Sequence, residues 1–215
     1  EVYLLMTGGQ TQLFAGEHIE KTDHTVNNIT HEKIQRASNM LPVISANAIE
    51  IAAHEKFLEA METQDAIISL SGNGEHLLFC REEQLCLTNL VNGSWGLPQK
   101  LPAAINATEK FEGSACISND GKTIYFTMNK AGGYGGKDIY RSVLNAQDVW
   151  TEGENLGEEI NTEWDEDGPF LNYEENAFYF SSKGLPGYGG YDVYKSFITP
   201  KGFSKPINPG LPLNS

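Results

Sequence analysis

A unit of 54 residues is written twice in this chain, and a fainter copy precedes the pair. From Glu112, EGSACISNDGKTIYFTMNKAGGYGGKDIYRS runs into a segment around Trp150 and then LGEEINTEWDE. From Asp167, DGPFLNYEENAFYFSSKGLPGYGGYDVYKS runs into a segment around Phe203 and then GLPLNS. Phe126 and Phe180 occupy the same place in the two copies, and Phe79 in ISLSGNGEHLLF lies 47 residues ahead of Phe126. Self-similarity at roughly 40 to 55 residues, with several short strands per unit, points to propeller blades, which bury their faces only against one another.

Four strands can be read in each unit. SACIS is a short alternating segment, Asn119-Asp120-Gly121 is a tight-turn signal, and TIYFT is a β-branched and aromatic strand. A glycine-rich loop leads to DIYRS as the third strand, a stretch around Val149 and Trp150 supplies the fourth, and LGEEINTEWDE crosses to the next unit. The later copy repeats the plan with Phe170-Leu171, a turn at Glu174-Glu175-Asn176, AFYFS, GLPGYGG, DVYKS and Gly202-Phe203-Ser204. The expected fold is therefore an all-β propeller of four-stranded blades at 65–111, 112–166 and 167–215.

At about 50 residues per blade the chain holds about four blades, near the lower end for a ring. Leu213-Asn214-Ser215 aligns with Ile160-Asn161-Thr162 and Ile105-Asn106-Ala107, each of which leads into a new blade. Either the N-terminal strand EVYLLM closes the ring from the other side, or further blades lie outside this chain. Residues 1–64 fit the repeat badly and are read as part of a first blade followed by a helical insertion. EVYLLMTGG and QTQLFAGEHIE make two middle strands, with Tyr3, Leu5 and Phe14 as core positions. From Ser45, residues Ile49, Ala52, Ala53, Phe57, Ala60 and Met61 share one helical face, and residues 30–40 form a shorter helix capped by Thr30 and stopped by Pro42. The alternative for Ile44 to Ala53 is a strand.

SNDGKTIYFT, GGYGGKDIYRS and GLPGYGGYDVYKS resemble the WD40-like β-propeller repeats of TolB-type proteins, most of all those of Bacteroidota cell-envelope proteins. The resemblance spans Asp65 to Ser215. It implies a periplasmic or outer-membrane-associated setting, a parent protein often fused to an OmpA-like peptidoglycan-binding domain, and a place in a secretion or motility assembly or a tethered lipoprotein. It implies a scaffold rather than one activity, because the same architecture carries many roles. The earliest copy departs from the pattern, since Cys80 to Gln84 replaces the glycine-rich loop.

A net charge of −14 argues against nucleic acid as partner, because such binding draws on clustered Lys and Arg. No stretch approaches the ~20 apolar residues of a membrane-spanning helix. The three cysteines lack zinc spacing. Cys80 and Cys86 flank REEQL between two strands, so a three-residue turn would set them opposite each other for a disulfide, and a shift of one residue would leave two thiols.

In a blade the connection between strands two and three emerges on the same face as the crossing to the next blade. That face gathers Glu109, Glu112, Glu163, Trp164, Asp165, Glu166 and Asp167 from the crossings, and Tyr134 and Tyr188 from the glycine-rich loops. Three readings compete for it. As a protein site, carboxylates steer a basic partner and tyrosines give rigid contacts. As a glycan site, Trp164 and the tyrosines stack on sugar rings. As a cation site, Asp165, Glu166 and Asp167 offer oxygen ligands without the spacing of a calcium loop. A protein partner is the favoured reading, with no metal and no cofactor.

Asp138 and Asp192, at the start of equivalent strands, are read as loop clamps that accept backbone N–H bonds. GGYGGKD opens a strand and not a helix, so it is no phosphate cradle. Trp95, Trp150 and Phe203 recur at one place and are read as blade packing. Enzymatic readings are weak: acids at equivalent blade positions look structural, SNDGKTIYF lacks the Trp of a sialidase-type Asp-box and has no matching arginine cluster, and no nucleophile elbow accompanies His18, His24, His31, His54 or His76. The expectation is a non-catalytic interaction module; the alternative is a glycan-binding or glycosidase-like propeller.

Overall fold

The computed structural model describes residues 2–7, 10–15, 65–107, 111 and 113–214. The helical insertion expected between residues 16 and 64 lies outside them. A two-stranded hairpin, β1 (Val2–Thr7) and β2 (Gln10–Ala15), pairs Val2 with Ala15 through to Thr7 with Gln10.

The repeat forms three blades of antiparallel strands. The first holds β3 (Ala66–Leu70), β4 (His76–Arg81), β5 (Gln84–Val91), β6 (Ser94–Trp95) and β7 (Gln99–Lys100). The second holds β8 (Ala115–Ile117), β9 (Thr123–Met128), β10 (Asp138–Val143) and β11 (Glu154–Asn155). The third holds β12 (Glu166–Asn172), β13 (Ala177–Ser182), β14 (Asp192–Thr199) and β15 (Gly202–Phe203). The fold is all-β, and the described residues contain no helix. The fourth strand of each blade is broken: β6 pairs the far half of β5 and β7 the near half, while β15 is followed by a separate bridge from Ile207 to Lys195.

The two-residue alternation of a strand decides which blade each side chain meets. In β9, Ile124, Phe126 and Met128 pack with Leu78, Leu85 and Leu87 of the first blade. Tyr125, between them, packs with Phe178 and Phe180 of the third. The middle blade is thus buried on both faces, which is why TIYFTM is apolar almost throughout. Phe79, Phe126, Phe178 and Phe180 are fully buried, and each such side chain contributes about 1.5–3 kcal/mol. Trp95, Trp150 and Phe203 are half-buried, and each packs on the cluster on the N-terminal side of its own blade.

The disulfide reading is corrected by the β4–β5 turn. Glu82 and Glu83 both have positive φ, 48° and 61°, so the hairpin has two turn residues and not three. Cys80 then pairs with Leu85 and Cys86 with Phe79, which puts the two sulfurs on opposite faces of the blade; both are thiols. Cys116 is also a buried thiol, its pKa pushed far up by desolvation.

Candidate functional site

The loops of the predicted face are fixed by two sets of bonds. In the second blade the carboxylate of Asp138, buried at the start of β10, accepts the N–H groups of Tyr134 at 2.6 Å and Gly135 at 3.1 Å, and the Asn155 amide at 2.9 Å. In the third blade Asp192 accepts Tyr188 N–H at 2.6 Å and Gly189 N–H at 3.1 Å. Each acid closes its glycine-rich loop onto its own strand and leaves the tyrosine pointing out. Tyr134 is 51% and Tyr188 67% exposed.

The second set ties the segment that leaves each blade back to its third strand through three buried asparagines. Asn161 Oδ1 accepts Ile139 N–H at 2.8 Å while its Nδ2 donates to Ile139 C=O at 2.9 Å and to Asn155 Oδ1 at 2.8 Å. Asn106 makes the same pair with Leu85, and Asn214 the same pair with Val193. One amide side chain therefore replaces a strand partner for the second residue of each third strand. The sequence reading used these asparagines only to align the copies. Their recurrence after an apolar residue, at one place in every unit, is the signal that identifies them.

Beyond Asn161 the crossing folds into a tight cap. The carboxylate of Glu166 accepts Thr162 N–H at 2.8 Å, the Thr162 hydroxyl at 2.7 Å and the Ser182 hydroxyl at 2.6 Å, and Trp164 N–H donates to the Thr162 hydroxyl at 3.1 Å. Glu163 and Trp164 sit at the apex, with Trp164 58% exposed. The glycine-rich loop of the second blade lies against this cap. Gly136 N–H donates to Trp164 C=O at 3.1 Å, Lys137 N–H to Asp165 Oδ1 at 3.0 Å, and Glu166 N–H to Lys137 C=O at 2.7 Å. Gly135 has to be glycine because a Cβ there would run into the carbonyl oxygens of Thr162 and Trp164.

This packing revises the acidic part of the predicted site. Glu166 is 0% exposed, so it holds the crossing and meets no partner; burial pushes its pKa up despite the three donors. Asp165 is paired with Lys183 at 2.7 Å, and that bond, with the Lys137 N–H, holds its carboxyl below the usual range. Asp167 is paired with Lys137 at 3.2 Å. The acids that composition offered for steering are thus largely neutralised by lysines on adjoining loops. Glu109 and Glu112 lie outside the described residues. What the structure brings to the surface is aromatic: Tyr134, Trp164 and Tyr188, joined by Tyr191, whose ring lies 4.7 Å under Lys183 Nζ and which the sequence reading passed over. Among the described residues no group of acids, histidines and cysteines is arranged to hold a metal.

Neither a protein-family profile nor a curated protein matches the sequence. Among solved structures, the crystal structure of TolB from Acinetobacter baumannii is similar, with a TM-score of 0.43 and 15% identity over 67% of this chain and 33% of that one. The chain therefore spans about a third of the length of that protein.

Proposed function

We propose that this chain is a non-catalytic interaction module that captures a protein partner on the loop face carrying Tyr134, Glu163, Trp164 and Tyr188. One observation carries the reading: aromatic side chains stand exposed on loops whose backbones are tied down by Asp138, Asp192 and the Thr162–Glu166 cap. Rigid aromatic groups lose little entropy on binding, and Trp and Tyr are the residues that dominate interface energetics. The non-catalytic character is supported by the state of the acids. Glu166, with its raised pKa, is sealed beneath the surface, and Asp138 and Asp192 are consumed by loop amides.

The setting in a bacterial envelope, and a role in an outer-membrane-associated secretion or motility assembly, rest on the sequence resemblance alone. The test is crosslinking of the immobilised chain in envelope extract beside a Tyr134→Ala, Trp164→Ala, Tyr188→Ala variant of unchanged melting temperature. Loss in the variant of a protein retained by the parent supports the reading; equal retention moves the site off this face. A parallel panel of soluble glycans covers the alternative, because the same three rings could stack on sugars.

A further inference from the structure

The inner acids of the aromatic face are all engaged, and Glu163 is not. Asp165 is paired with Lys183 at 2.7 Å and Asp167 with Lys137 at 3.2 Å. Asp138 and Asp192 are buried and filled by loop amides, and Glu166 is sealed inside the cap. Glu163 stands exposed at the apex of the crossing, and among the described residues no cation pairs with it and no donor reaches its carboxylate.

Backbone packing sets two rings beside that carboxylate. A Cβ on Gly135, the residue after Tyr134, would lie 2.1 Å from the Trp164 carbonyl oxygen, 2.5 Å from that of Thr162 and 2.7 Å from the Glu163 carbonyl carbon. Tyr134 and Trp164, both more than half exposed, thus leave the surface from backbone segments in direct contact, with Glu163 between Thr162 and Trp164 on one of them. All three residues belong to the seam between the second and third blades.

The same face shows what a ring and an acid hold together. Lys183 Nζ lies 4.7 Å over the Tyr191 ring and 2.7 Å from the Asp165 carboxylate, a cation gripped by both at once. Glu163 with Trp164 and Tyr134 repeats that combination without a cation of the described residues to fill it. Glu158 and Glu159, exposed earlier on the same crossing and likewise without ion pairs among the described residues, add to the attraction, as does the net charge of −14.

Resting on the partner-capture reading above, we propose that this seat takes a basic segment of the protein partner. One cationic side chain stacks on Trp164 and Tyr134 and donates to the Glu163 carboxylate. Arginine suits it best, because a guanidinium lies flat on a ring while its N–H fork reaches a carboxylate, and it gives up water more readily than an ammonium.

The probe is a labelled octapeptide of alternating serine and arginine, titrated into the 215-residue chain and read by fluorescence anisotropy. Octapeptides of serine with glutamate and of serine with norleucine are titrated beside it. Saturable binding is expected for the arginine peptide alone, weakened about threefold or more by Glu163→Gln and by Trp164→Ala. Glu174→Gln removes the same charge from the exposed β12–β13 turn on the opposite face, and should leave the affinity within about twofold. Both glutamine variants should melt with the parent, since neither side chain bonds a described residue. Absence of saturable binding overturns the proposal, as does equal binding of the norleucine peptide. Equal losses in Glu163→Gln and Glu174→Gln overturn it too, because they reduce the attraction to net charge. Where the arginine peptide fails but crosslinking retains a partner that the triple aromatic variant loses, the cation seat falls and the capture face stands; where crosslinking shows equal retention as well, both fall.

Discussion

Replacing Asn161 by alanine should destabilise the described fold measurably, although the side chain is polar and lies in a crossing loop. The change strips the partner from Ile139 N–H, bracketed at 2.8 Å in a buried seam, while Ile139 C=O loses the Asn161 amide at 2.9 Å but keeps Leu156 N–H at 3.1 Å. A buried neutral group left unpaired costs about 1–3 kcal/mol, and that one N–H sets the size of the expected loss. Asn155 adds little, because its Oδ1 keeps the N–H of Gly157 at 2.9 Å. Against a stability of about 5–15 kcal/mol for an ordinary domain, that is a substantial fraction. Urea denaturation followed by tryptophan fluorescence measures it, with exposed Asn129→Ala as a control expected within about 0.5 kcal/mol.

Asn161→Asp sharpens the test. The new carboxylate keeps the acceptor for Ile139 N–H but turns oxygen lone pairs toward Ile139 C=O and Asn155 Oδ1, so the folded state favours the protonated acid. Its folded pKa then lies above the unfolded value of about 3.9, and stability relative to the parent is lost as pH rises through that window and regained below it. A loss under about 1 kcal/mol for the alanine variant, or a flat pH profile for the aspartate, would refute the bracket as a stabilising element.

Phe126→Ala and Phe180→Ala, both in fully buried positions of middle strands, should each cost about 3–5 kcal/mol in the same denaturation assay; a neutral result would put the strands out of phase. Glu166→Gln should gain on the parent as pH rises through the glutamate range. The parent carboxyl, its pKa raised by burial, must ionise there at a cost to the folded state, and the amide does not titrate. The opposite contribution of Asp165, whose lowered pKa stabilises the fold until acid protonates it, is common to both proteins and cancels in the difference. Thiol titration of the denatured, unreduced chain should count three cysteines, and mobility should be unchanged by reductant.

The strands were legible because they are sandwiched. Where both faces of TIYFTM are covered, the residues have to be β-branched or aromatic, and the repeat supplies the phase. The β4–β5 register was not legible, because Glu82-Glu83 carries no turn signal of the Asn-Gly kind that Asn92-Gly93 does, yet adopts positive φ at both residues. Glu166 was misread for a related reason. In the run of acids from Glu163 to Asp167 nothing in the letters separates the first residue of β12 from the exposed apex two residues before it. Lys137 and Lys183 escaped notice because their partners are remote in sequence, on the crossing that folds back over them. The exposure of Tyr134 and Tyr188 was legible, since a tyrosine between glycines in a strand connection has little apolar surface to hide in; Tyr191, one residue before a strand, was not.

The hydrogen bonds that recur from seam to seam are made by peptide groups and one asparagine, while the apolar packing between blades is left to the strands. A repeat of this kind behaves as a cassette. A duplicated 54-residue unit arrives with a peptide N–H for the blade behind and an asparagine bracket for its own third strand already in place, so unequal recombination could lengthen or shorten such an array with its hydrogen-bonded seam intact. The aromatic loops ride on the same cassette, and each added blade with a glycine-rich loop would bring its own outward tyrosine, letting the exposed aromatic face grow in step with the scaffold and then diversify one loop at a time.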